Sequence, residues 1–93
     1  MIIGKIHRKI WVTGRVQGVF YRATAVDKAL ELGLLGFVQN MPDGHVYIEV
    51  EGTQAGVESL ISWCKKGSAF SRVETVSVEE GDVIGYLDFS IKR

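Results

Sequence analysis

Residues 14–22 read GRVQGVFYR, a nearly uncharged stretch with an arginine at each end and two glycines, Gly14 and Gly18. This combination suits an anion cradle. Glycines let successive backbone N–H groups turn toward one point. A helix opening at Arg22 would add unpaired N–H donors and the positive end of its dipole. The Arg22 guanidinium could hold two phosphate oxygens in a bidentate fork. No acidic residue lies between positions 14 and 26, so nothing local repels an anion. The spacing is not that of a P-loop, because no Lys-Ser/Thr pair follows the glycines, nor is it G-x-G-x-x-G.

The elements around this loop follow from periodicity. Ile6, Ile10 and Val12 at even positions predict a strand over 5–13, interrupted by Arg8. Val26, Ala29, Leu30 and Gly33 at helical spacing predict a helix over 22–32, with Gly33 as its C-terminal glycine. The apolar, aromatic run 35–40 reads as a second strand. MPDG at 41–44 is a turn, since proline presets φ and Asp-Gly tolerates hairpin geometry. In HVYIEVEG, Val46, Ile48 and Val50 alternate with His45, Tyr47, Glu49 and Glu51, which predicts a half-buried strand with its polar set in water. Thr53 is the expected N-cap of a second helix reaching Lys66, with Val57, Leu60, Ile61 and Cys64 as its buried stripe and Gly67 as its stop. Strands are predicted at 73–80 and 86–91, the latter with Leu87, Phe89 and Ile91 on one face.

The order β-α-β-β-α-β with an extra C-terminal strand predicts one domain over 1–93. It is an α+β, ferredoxin-like sandwich: an antiparallel sheet with two helices on one face. In that topology the first two strands run parallel, so their C-terminal ends share one edge of the sheet. The glycine loop leaves the first strand there, and Asn40 ends the second strand there. Arg22, the loop and Asn40 should therefore converge.

GRVQGVFYR followed by GFVQN at 36–40 resembles the acylphosphatase family. The resemblance extends over the Asp-Gly turn, Gly52, the segment GSAFSRVETV at 67–76 and the closing DFSI, nearly the whole chain. It implies hydrolysis of carboxyl-phosphate mixed anhydrides. The family's essential arginine falls on Arg22 and its essential asparagine on Asn40. The phosphate cradle falls on the backbone of Arg15, Val16, Gln17, Gly18, Val19, Phe20 and Tyr21. By this likeness Arg22 holds the phosphate, Asn40 orients the attacking water, and neither metal nor cofactor is required. Inorganic phosphate, the product, is expected to compete with substrate, and the chain is expected to act as a monomer. Four positions depart from the family pattern: Tyr21 for phenylalanine, Phe37 for tryptophan, Ser68 for proline and Ser71 for alanine. The same site residues would also serve a regulatory domain that captures acyl or carbamoyl phosphate without turnover.

Composition narrows the alternatives. Formal charge balances at zero, with 46% hydrophobic and 24% charged residues, so no basic excess points to nucleic acid or an anionic membrane. A sheet that reads RNA would show a basic, aromatic third strand, whereas Glu49 and Glu51 stand beside Tyr47 here. The apolar start is too short for a signal peptide, no apolar run approaches the ~18 residues of a membrane span, and a single cysteine makes no internal disulfide. A cytoplasmic protein is the expectation. Cys64 is expected as a core thiol, Trp11 as cover for the open sheet face, and Glu79, Glu80 and Asp82 as solvated acids. His7 and His45 are expected to face solvent, with no ligand spacing for a metal. Arg15 is expected chiefly to support the loop through a salt bridge.

Overall fold

The computed structural model describes residues 4–93; residues 1–3, where the sequence suggested too short a run for a leader, lie outside them. Seven elements follow in order: β1 (Ile6–Arg15), α1 (Tyr21–Glu31), β2 (Leu35–Asn40), β3 (Val46–Gly52), α2 (Gln54–Lys66), β4 (Arg72–Gly81) and β5 (Phe89–Lys92). The strands form one sheet in the order β4-β1-β3-β2-β5. Both β1 and β2 pair antiparallel with β3, which lies between them. They are therefore parallel to each other, as the ferredoxin-like reading requires.

The sheet departs from the antiparallel arrangement expected. The sheet is mixed, because β5 runs parallel to β2. The register explains why. β4 ends with Gly81 opposite His7, and His7 also faces Glu51, which faces Leu35 at the start of β2. The chain leaving β4 crosses along that end of the sheet and so enters the far edge beside the beginning of β2.

The core lies between the sheet and the helices. Ile10 and Val12, Val38, and Val46, Ile48 and Val50 are fully buried against Ala25 and Ala29 of α1 and Val57, Leu60 and Cys64 of α2. Thr53 caps α2 by accepting from Gly56 N at 3.2 Å. Gly33, at φ 70°, closes α1: its N–H donates to Leu30 O and the N–H of Leu34 donates to Ala29 O. This reciprocal pair satisfies carbonyls that the helix end leaves open.

The buried stripe of α1 differs from expectation. It is Tyr21, Ala25 and Ala29, whereas Leu30 is 58% exposed. Alanines at four-residue spacing let the helix approach the sheet closely, and Leu30 is one step, about 100°, around from that line. Leu87 is likewise 95% exposed, because β5 begins only at Phe89 and the preceding segment is not in the sheet.

His7 and Glu51 are also corrections, since both are buried rather than solvated. The ring nitrogens of His7 lie 2.7 Å from Glu51 Oε2 and 2.8 Å from Glu49 Oε1. The crossing segment covers them: Gly85 N and Tyr86 N donate to Glu51 Oε1 at 3.0 and 3.1 Å, and Ile84 N donates to Oε2. Burial alone would raise the Glu51 pKa, but these N–H donors and His7 outweigh it and bring it to about 2. The hydroxyls of Tyr47 and Tyr86 donate to Glu49. Trp11 packs on Tyr47 across this face, ring centroids 5.1 Å apart.

Candidate active site

The site begins where β1 leaves the sheet. Gly14, at φ 121°, marks a register shift against β4, and a Cβ there would collide with the Arg72 carbonyl. It therefore serves a β-bulge that turns the chain out of the sheet, not the cradle itself. Arg15 ends β1, exposed and opposite Arg72. Among the described residues no carboxylate pairs with it, so the expected salt bridge is not formed.

Between the two elements the chain alternates anchors and exposed groups. Val16 and Val19 are buried in the core. Gly18 and Phe20 lie toward the surface, both left-handed, at φ 72° and 63°. For a non-glycine residue that conformation costs about 1–2 kcal/mol. Phe20 is also 73% exposed, so its own packing does not offset the strain. Strain of this kind persists where the surrounding structure imposes it.

Phe20 is the N-cap of α1, and no side chain caps the helix among the described residues. The first intrahelical bond runs from Thr24 N to Phe20 O, at 3.0 Å. The N–H groups of Tyr21, Arg22 and Ala23 precede it and are free to meet an anion, with no acid in the first turn. A cleft of about 240 Å³ opens there, lined by Val16, Gly18, Phe20 to Ala23 and, from β5, Ile91. Arg22, half-buried, stands in this lining.

Three side chains hold the loop in place through hydrogen bonds to backbone carbonyls. Tyr21, fully buried, donates its hydroxyl to Cys64 O at 2.9 Å and packs its ring against that of Trp63, centroids 4.9 Å apart and planes tilted by 45°. Burial pushes the Tyr21 hydroxyl's pKa upward, and that of the Cys64 thiol to about 12, so Cys64 is the inert core thiol expected. Ser68 Oγ donates to Val19 O at 2.8 Å. Gln17 Nε2 donates to Met41 O and His45 O at 2.8 and 2.9 Å. Tyr21 and Ser68 are two of the positions that depart from the family pattern, and each uses its hydroxyl here. The sequence reading found none of these braces, because each acceptor is a backbone carbonyl and leaves no residue-type signal.

Asn40 ends β2 opposite Val46, whose other neighbour is Val12 of β1. Cross-strand partners share a face, so the Asn40 side chain lies on the helix side with buried Val46. Its Oδ1 is buried, and no donor reaches it among the described residues. A buried acceptor left without a partner costs about 1–3 kcal/mol. Asn40 stands at the same sheet edge as the cleft but outside its lining, with Gln17 bridging to the adjoining hairpin.

The cleft thus brings together Val16, Gly18, Phe20, Tyr21 and Arg22 from the expected set. Arg15, Gln17, Val19 and Asn40 flank it. Comparison with known proteins points the same way. A family model described as Acylphosphatase matches residues 8–91. An acylphosphatase of Methylococcus capsulatus is 46% identical over 85 residues, covering 90% of this chain and 92% of its own length. One from Natronomonas pharaonis is 43% identical over 89 residues, covering 96% and 97%. The crystal structure of acylphosphatase from Bacillus subtilis superposes with a TM-score of 0.92 at 38% identity, over 95% of this chain and 99% of that one. A family model over nearly the whole chain, relatives of nearly equal length above 40% identity and a shared fold agree with the motif residues, and the chain belongs to the acylphosphatase family.

Proposed function

We propose that the chain hydrolyses acyl phosphates to carboxylate and inorganic phosphate, with the 15–21 backbone and Arg22 holding the phosphoryl group and Asn40 orienting the attacking water. The observation that carries the Asn40 role is its orphaned Oδ1, a buried acceptor at the edge of the anion cleft. A water donating one O–H to that oxygen has its lone pair directed away from it. The water oxygen bonds to phosphorus as the bond to the acyl oxygen breaks, and the carboxylate leaves. An amide is no base near neutrality, so the water's proton passes to a phosphoryl oxygen. Such transfer is chiefly positioning plus stabilisation of charge on the equatorial oxygens, which Arg22 and the open helix N-terminus supply.

In this reading inorganic phosphate competes for the cradle. The chain forms one domain over 1–93 and acts as a monomer. It works in the cytoplasm, in keeping with one buried free thiol, Cys64. No described helix is long and apolar enough to cross a membrane.

Phosphate release from benzoyl phosphate tests the roles. Arg22→Ala and Asn40→Ala, each confirmed folded, should each lose on the order of 10²–10³ in rate. Asn40→Ala should still bind inorganic phosphate, whereas Arg22→Ala should bind it poorly. Wild-type protein that binds phosphate but hydrolyses nothing above background would mean a capture domain instead. A rate profile governed by an enzyme group near neutral pH would overturn the proton route.

A further inference from the structure

Gln17 is absent from the cleft lining, although it lies in the middle of the phosphate loop. Its amide spends both N–H groups on the base of the β2–β3 hairpin, donating to Met41 O and His45 O. Those two carbonyls already accept the bonds that close the turn, from Gly44 N to Met41 O and from Met41 N to His45 O. The contact is therefore made to a rigid point of the hairpin, one residue beyond Asn40. Ser68 pins the same loop on its other flank through Val19 O, but that bond runs to the segment after α2 and says nothing to Asn40.

We propose that Gln17 is a positioning residue that sets the distance between the phosphate cradle and Asn40. This rests on the roles proposed above for both. The loop leaves the sheet from β1 while Asn40 ends β2, and β3 separates the two strands. Two strand spacings amount to roughly 10 Å, a gap that the backbone ladder alone does not bridge above the sheet edge. The Gln17 amide closes it. Binding of phosphate needs the loop and Arg22, whereas attack also needs the water on Asn40 in line with the bound phosphorus. Loss of the brace should therefore act on turnover more than on binding.

The test is a double-mutant cycle on benzoyl phosphate with wild type, Gln17→Met, Asn40→Ala and the pair, with inhibition by inorganic phosphate measured for each and folding followed by thermal unfolding. Methionine keeps the length of glutamine and removes both donors. Misplacement near 1 Å can cost about 10²-fold, so Gln17→Met should lower kcat on the order of tenfold or more, with smaller changes in KM and in phosphate inhibition. In the Asn40→Ala background the same substitution should cost less than about twofold, because the group it positions is gone. If Gln17→Met fails to fold, Gln17→Asn, which keeps the amide on a shorter stem, is read by the same criteria. Equal losses in both backgrounds, or a loss confined to KM, would overturn the proposal while leaving Asn40 its role. An Asn40→Ala enzyme of undiminished rate would remove the Asn40 role, and the positioning proposal with it.

Discussion

Phe20 and Glu51 sit at opposite ends of the sheet, the one in a strained backbone conformation and the other as a buried, fully bonded charge. Phe20 is strained and exposed beside the cleft, where its backbone starts α1 without a cap. Glu51 is buried at the far end, where it clasps the segment that leads to β5. Its carboxyl titrates about 2 in the folded chain, below the ordinary 4.5. The folded state therefore binds its proton less readily than the unfolded state. The resulting stability is present in full above pH 4.5 and is lost as pH falls from there through about 2. Glu49, also lowered, by hydrogen bonds from Tyr47, Tyr86 and His7 that outweigh burial, acts in the same sense. Glu51→Gln should cost on the order of 2 kcal/mol at pH 7, since charged hydrogen bonds are lost. Urea unfolding midpoints measured from pH 7 to pH 2 should fall steeply for wild type and less steeply for the variant. Parallel curves would show that Glu51 is not the group being titrated.

Among the elements, α1 matters most, because its first turn lines the cleft proposed to hold the phosphoryl group. Its N-terminus is held from below by Tyr21, through the hydroxyl on Cys64 O and the ring on Trp63. Tyr21→Phe keeps the ring and removes one buried hydrogen bond, leaving the Cys64 carbonyl without that donor. Chemical denaturation should show a loss of about 1 kcal/mol with an unchanged m-value. A neutral result would mean that the ring packing on Trp63 suffices to dock the helix. The existence and order of the elements were legible in sequence, since Thr53, Gly33 and MPDG mark their ends by local chemistry. The face that α1 buries was legible in part: Ala29 lies in the core and Val26 packs against it, but Leu30 is exposed. Leu30 fits the helical period as well as Ala25 does, and only the approach to the sheet chose the small residue.

At the scale of the molecule, the candidate site occupies one end of the sheet and a polar clasp the other, with one apolar core between them. Leu60, fully buried against that core, and Leu87, 95% exposed, are the same residue type under opposite conditions. Leu60→Ala should lose about 2–5 kcal/mol by opening a cavity. Leu87→Ala should stay within about 0.5 kcal/mol of wild type. Thermal or urea unfolding of the two variants side by side distinguishes them. A large cost at Leu87 would mean that the crossing segment packs more tightly in solution than its exposure indicates.

The sequence by itself determined that the loop, Arg22 and Asn40 lie at one end of the sheet. That follows from alternation, from turn residues and from the parallel relation of β1 and β2, all of which are local patterns or rules of chain connection. Tertiary structure alone decided the burial of His7 and Glu51, the parallel entry of β5, the exposure of Leu87, and the acceptors of Gln17, Tyr21 and Ser68. Each of these depends on groups brought together from distant parts of the chain, such as Glu51 with the backbone of residues 84–86 or Gln17 with the carbonyls of Met41 and His45. A backbone partner has no side-chain identity to announce it. The candidate site could therefore be proposed from the residues of its motifs, and the braces around it were visible only in the fold.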